Sequence, residues 1–159
     1  MILEVVAEQG AFLAERRQKI QYDMPDKLPP LAGDRDKLSD VFTNVISNAI
    51  RFSPDGSTIK IAAHKTFQDN IEIDVEDAGS GIATESMGEI FEPFAGIEDT
   101  LHHHSGTTEY GSKGAGLGLA IVRRFVELHG GVVKIDSTPQ GTRVKISLPL
   151  RVDAPVAAR

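Results

Sequence analysis

Residues 113–125, Lys-Gly-Ala-Gly-Leu-Gly-Leu-Ala-Ile-Val-Arg-Arg-Phe, place three glycines at alternate positions (Gly114, Gly116, Gly118) directly ahead of an apolar helical run, with Gly111 upstream. Glycine lets the backbone turn tightly and approach a bulky anion. A helix that begins just after such a loop offers unpaired N–H groups and a partial positive charge. Loop and helix start together make a phosphate cradle. Two familiar cradles fail on inspection. The P-loop needs Lys-Ser or Lys-Thr after its last glycine, and Lys113 is followed by Gly114. The dinucleotide fingerprint is met by Gly114 and Gly116, and Asp136 lies at about the distance of a ribose-binding acid. Its third glycine falls on Leu119, however, and residues 95–113 are polar rather than a buried strand. The local alternative is a flexible turn before an amphipathic helix, so the rest of the chain has to decide.

A 159-residue chain supports one domain with a real core. It contains no cysteine, which excludes a disulfide framework or a cysteine-held metal. A net charge of -6 argues against a nucleic-acid partner. No apolar run has membrane-spanning length and no signal peptide opens the chain, so a cytoplasmic location is expected, with membrane attachment of a longer parent left open.

Residues 2–18 read as one amphipathic helix, and 19–24 alternate like a strand before the loop-forming Pro25, Pro29 and Pro30. Asp34 is the expected N-cap of a second helix. Leu38, Val41, Phe42, Val45, Ile46, Ala49 and Ile50 form its buried face, and Pro54 and Gly56 stop it. Asn44, Asn48 and Arg51 project together at the rim of that face. They read either as an exposed polar flank or as a magnesium–phosphate site, since amide oxygens suit that hard cation and arginine suits phosphate. Residues 58–65 and 70–77 read as paired strands around Gln68-Asp69-Asn70. The second runs into Asp77-Ala-Gly79-Ser-Gly81-Ile82, either an ordinary turn or an acid placed to accept from the exocyclic amine of a base. Residues 95–113 are a long patternless connection of the kind that serves as a lid. Leu117, Ala120, Ile121, Phe125, Val126 and Leu128 are the expected buried face of the next helix, which ends at His129-Gly130-Gly131. Residues 132–136 and 142–148 close the chain as a strand pair, and 151–159 read as a frayed tail. His102, His103 and His104 read as part of a solvated loop.

In this order the pieces resemble the catalytic ATP-binding domain of sensor histidine kinases, in the Bergerat-fold (GHKL) superfamily. The resemblance rests on Asn44-x-x-x-Asn48-x-x-Arg51, Asp77-x-Gly79-x-Gly81-Ile82, Phe91-Glu-Pro-Phe94, Gly114-Ala-Gly116-Leu-Gly118-Leu119, and Gly141-Thr142. It implies a two-layer α/β sandwich, a mixed and mostly antiparallel sheet of about five strands under about three helices, with a long ATP lid. Residues 1–150 would be the catalytic domain and 151–159 a tail. By the same resemblance, Asp77 with Thr142 would receive adenine. Asn48 and Asn44 would hold Mg2+ and Arg51 would contact the nucleotide. Gly79, Gly81 and Ile82 would shape the base pocket. Lys113, Gly114, Gly116, Leu117, Gly118 and Leu119 would wrap the phosphates, and Phe91 and Phe94 would anchor the lid at residues 95–113.

The related ATPases carry glutamate at the position of Asn44 as general base for water. An amide lacks that basicity, so phosphotransfer to a histidine is expected over hydrolysis. The chain departs from the family at Ala95-Gly96, where an aromatic and a basic residue are usual. None of His64, His102, His103, His104 or His129 has the context of a phosphoacceptor. The expected partners are therefore a separate helical dimerisation and phosphoacceptor domain, and downstream a response-regulator receiver; the fragment itself is expected to be monomeric. The rival readings are a GHKL-type ATPase and a degenerate kinase acting as a nucleotide-gated docking module.

Overall fold

A computed structural model of the chain describes residues 1–93 and 116–150. The second helix of the sequence reading forms as α3 (Arg35–Phe52), started where expected: the Asp34 carboxylate accepts from the N–H groups of Asp36 and Lys37. Its seven expected core residues are all buried, with Val41, Ile46 and Ile50 wholly so. The helix crosses between two parallel strands, β1 (Lys19–Asp23) and β2 (Thr58–Lys65). A tight turn at Asp69, in left-handed conformation, returns β2 antiparallel as β3 (Asn70–Glu76). The chain then leaves the sheet, forms α4 (Gly118–Leu128), and re-enters as the hairpin β4 (Val132–Thr138) and β5 (Gly141–Pro149). β5 inserts beside β3, giving the order β1-β2-β3-β5-β4.

The expected two-layer sandwich is the fold found. Alternation on β2, β3 and β5 sends Ile59, Ile61, Ala63, Ile71, Ile73, Val75, Val144, Ile146 and Leu148 to the helical face, where α3 and α4 cover them. The opposite face is charged and open: Glu76 pairs with Lys60 and Arg143, and His64 on β2 lies 3.5 Å from Glu72 on β3. Period-two alternation of this kind is what an antiparallel sheet with one solvated face requires.

Two expectations need correction. The single helix over 2–18 is two short ones, α1 (Ile2–Glu8) and α2 (Gly10–Glu15). Gly10 is a poor helix former. At the junction the Gln9 N–H is shared between the carbonyls of Val5 and Val6. Arg17 then takes left-handed φ, and the helix ends at Glu15, three residues early. The buried face of α4 is also rotated from its expected position. Val122 and Val126 are its buried residues, with Phe125 packed against the core, whereas Leu117, Ile121 and Leu128 are exposed. The segment has more apolar residues than one face can bury, and packing on α3 selects the Val122–Val126–His129 row.

His129 takes a core position at the end of that row. Its Nε2 accepts from the Asp34 N–H at 2.9 Å, and its Nδ1 lies 2.7 Å from the Phe125 carbonyl. That pattern assigns the proton to Nδ1 and ties the C-terminus of α4 to the N-cap of α3. Gly130, with positive φ, follows as the expected helix stop.

Candidate functional site

β3 delivers Asp77 to the edge of the helical layer, beside the β4–β5 turn. Its backbone N–H donates to the Thr142 carbonyl at 2.9 Å. Its Oδ1 accepts from the N–H of Gly79 at 2.8 Å and of Thr142 at 3.3 Å. Both side-chain bonds fall on one oxygen, and among the described residues no hydrogen-bond donor reaches Oδ2. Burial pushes the Asp77 carboxyl above its ordinary range, against the opposing pull of the two backbone donors. An acid held by one oxygen and half-buried, its other oxygen meeting no donor among the described residues, can accept a further hydrogen bond there.

The loop after Asp77 is locked to the same turn. Ile82 N–H donates to Ser137 Oγ at 2.8 Å, and Ser137 Oγ lies 3.3 Å from Thr142 Oγ1. The approach is too close for side chains. A Cβ on Gly81 would lie 2.1 Å from the Thr138 carbonyl oxygen, and one on Gly141 would lie 2.1 Å from that of Asp77. Both glycines also have φ in the left-handed region, at 76° and 149°. These two positions therefore weld the β3 exit to the β4–β5 hairpin.

On α3, Asn44 and Asn48 are both half-buried, one turn apart. The Asn44 Nδ2 donates to the Asp40 carbonyl at 2.8 Å, which turns its Oδ1 away from its own helix. That oxygen meets the start of α4, where a Cβ on Gly118 would stand 2.8 Å from it. Among the described residues no side chain caps α4, whose N-cap position is Leu117. Gly116, with φ of 65°, bends the backbone into it, and Leu119 sits in the first turn. Asn44 of α3 and Gly118 at the start of α4 are thus brought together. Lys113, Gly114, Phe94 and the expected lid at 95–113, including His102 to His104, lie outside the described residues.

Arg51, in the last turn of α3, stacks its guanidinium on Phe52 with the ring centroid 5.1 Å away. Phe91 lies under Arg123 of α4 at 5.8 Å. Among the described residues no cluster of three or more histidine, cysteine or acidic side chains could hold a metal. The Asn44 Oδ1 beside Gly118 is a hard amide oxygen at the helix start, a donor of the kind magnesium takes.

Sequence reasoning missed Ser137 and the His129 bridge. Ser137 was within reach, because a two-residue turn at Pro139-Gln140 sets it opposite Thr142. A shallow concavity on the open face of the sheet, lined by Asp23, Lys60, Asp74, Glu76 and Arg143 among others, lies on the other side of the sheet and is not this site. No helix among the described residues is long and apolar enough to cross a membrane.

The chain is similar to known proteins in sequence and in fold. The chain is 36% identical over 160 residues to the non-motile and phage-resistance protein of Caulobacter vibrioides, covering 95% of this chain and 18% of that one. It is 35% identical over 162 residues to the histidine protein kinase DivJ of the same organism, covering 96% and 26%. It therefore spans about a quarter or less of the length of these two relatives. The full-length crystal structure of ShkA in complex with AMPPNP superposes with a TM-score of 0.78 at 25% identity, over 96% of this chain and 30% of that one. Residues 33–152 match the family of histidine kinase-, DNA gyrase B- and HSP90-like ATPases, from the cap of α3 to the end of β5, and the chain belongs to that family.

Proposed function

We propose that this chain binds Mg-ATP and donates the γ-phosphate to a histidine on a separate dimerisation domain, as the phosphodonor part of a two-component sensor kinase. The observation that carries the reading is that α3 touches two candidate half-sites, through the Phe52 carbonyl at Gly79 and through Asn44 at Gly118. Asp77, whose Oδ2 meets no donor among the described residues, receives the adenine amine beside Thr142, in the pocket shaped by Gly79, Gly81 and Ile82. The α4 start at Gly116, Leu117, Gly118 and Leu119, facing Asn44, receives the phosphates, with Lys113 and Gly114 completing the loop. ShkA, a structural relative, was crystallised with AMPPNP, an ATP analogue, which supports this ligand class.

The residues have distinct tasks. Asp77 orients the base, and the backbone frame around Thr142 keeps it from turning. Asn48 and Asn44 would hold the magnesium, which when bound neutralises phosphate charge. Arg51 adds a charge-assisted contact to the nucleotide. Transfer joins the γ-phosphorus to the acceptor imidazole nitrogen and breaks its bond to the bridging oxygen, releasing ADP. Such chemistry asks mainly for positioning and charge neutralisation, which these residues supply. Asn44 is no base for water, so hydrolysis is not favoured. The receiver domain of a response regulator is the expected final acceptor.

The test is incubation with γ-labelled ATP and magnesium, with and without a helical phosphoacceptor domain from a related sensor kinase. Acid-labile phosphate on that domain alone is the expected result. Label on this chain itself, or phosphate release without transfer, would contradict the reading.

A further inference from the structure

The C-terminal end of α3 has no glycine cap. Ser53 leaves the helix in extended conformation, so the last carbonyls need partners from elsewhere. They find them in two side chains that flank the left-handed Arg17, between α2 and β1. The Arg16 guanidinium donates through Nη1 to the carbonyls of Ile50 and Arg51 and through Nη2 to that of Ser53, while its Nε pairs with Asp55 at 2.9 Å. The Gln18 Nε2 donates to Ile50, Ser53 and Pro54 carbonyls at 3.0, 3.1 and 3.2 Å. The grip is reciprocal, since the Arg16 carbonyl accepts from the Gly56 N–H at 2.9 Å. Gln18 is 7% exposed, and its bonds to Ile50 and Ser53 lie out of water.

This end of α3 is also a wall of the proposed base pocket. The Phe52 carbonyl oxygen packs so tightly on Gly79 that a Cβ there would stand 2.7 Å away. Gly79 is the residue whose N–H holds Asp77 Oδ1. Arg51, assigned above to the nucleotide, has its own carbonyl in the grip of Arg16. We infer that Arg16 and Gln18 are positioning residues for nucleotide binding: by clamping the α3 C-terminus they fix the wall on which the Asp77–Gly79 turn rests. The inference builds on the proposed ATP site, although the clamp and the turn can be read without any ligand.

A planar guanidinium fork serves three carbonyls at once, which a lysine ammonium on a flexible stem does not. Charge near a helix C-terminus, by contrast, is supplied equally by either residue. Arg16→Ala and Arg16→Lys therefore separate geometry from charge. Ile71→Val, at the far end of β3, serves as a control with a comparable loss in melting temperature. Amide hydrogen exchange at Gly79, taken relative to Ile146 in β5, is read together with calorimetric affinity for adenosine and for Mg-ATP. Both Arg16 variants should speed exchange at Gly79 at least tenfold relative to Ile146 and weaken both ligands about tenfold. Ile71→Val should do neither.

Gly79 exchange that follows Ile146 in the Arg16 variants would overturn the inference, as would full recovery of both readouts by lysine. Faster exchange at Gly79 with unchanged affinity would also overturn it, by cutting the clamp from the nucleotide. An unaltered chain that binds no nucleotide would contradict the proposed function alone, and exchange at Gly79 would then decide for or against the clamp.

Discussion

The two halves of the site are built by different means. The Asp77 corner is a backbone template: Gly79 and Thr142 amides hold one carboxylate oxygen, and Gly81 and Gly141 allow three chain segments to touch. The proposed phosphate side is a meeting of two helices, where a side-chain amide on α3 faces the start of α4. A template of main-chain bonds is stiff and complete before a ligand arrives. A helix start with free N–H groups is completed by the ligand itself. On the proposed reading, a fixed corner takes the base and the start of α4 takes the phosphates.

Perturbing each half should show the contrast, and the largest effect belongs to the corner. Asp77→Asn should weaken ATP and adenosine alike by about 30-fold to 100-fold, since a hydrogen bond to a charged group is worth about 2–3 kcal/mol. The same change should leave thermal stability unchanged or raised. The folded-state pKa of Asp77 lies above its unfolded value. The folded chain therefore holds the proton more tightly, and the ionised carboxylate costs stability. That cost is absent below the ordinary carboxylate range of about 4 and grows as pH rises through the raised folded value. Melting curves over that interval should show the Asn variant gaining on the unaltered chain as pH increases.

Next in size is Gly118→Ala. A methyl there meets Asn44 Oδ1, so the amide has to move. Alanine in the first turn favours the helix by up to about 1 kcal/mol. Titration should show ATP affinity falling about tenfold with adenosine unaffected, while the melting temperature holds or rises. An equal loss for adenosine would merge the two halves into one. Asn44→Ala should reduce the magnesium dependence of ATP affinity severalfold, with Asn48 still present, and leave magnesium-free binding as it was.

The smallest effect lies on the far side of the sheet. Arg143 holds the Glu76 carboxyl below its usual range, yet both side chains are substantially exposed. Glu76→Gln should cost no more than about 1 kcal/mol, a difference that shrinks with added salt, with no change in nucleotide affinity.

Much of this was legible before the fold was known, for physical reasons that differ by region. α3 announces itself because eighteen residues carry one apolar stripe behind an aspartate cap. The strands β2, β3 and β5 alternate with little ambiguity. The roles of Gly79, Gly81 and Gly118 follow only once resemblance orders them, and their steric reasons appear only in three dimensions. α4 misled because leucines and isoleucines surround it, and only the approach of α3 decides which row is buried. Arg16 and Gln18 look like an ordinary polar helix end, because the carbonyls they serve lie more than thirty residues away. His129 similarly joins residues 95 positions apart in sequence. Local pattern reports caps and periodicity; it does not report which distant carbonyl a side chain will find.

The central claim, one fixed corner for the base and one helix start for the phosphates, is tested most directly by following amide resonances during two titrations. Adenosine should shift Asp77, Gly79 and Thr142 and leave the first turn of α4 in place. Mg-ATP should move those three and add Gly118, Leu119 and the side-chain amides of Asn44 and Asn48. Shifts centred on Lys60, Asp74 and Arg143 of the open sheet face, or an adenosine response that already includes Leu119 and Asn44, would contradict it.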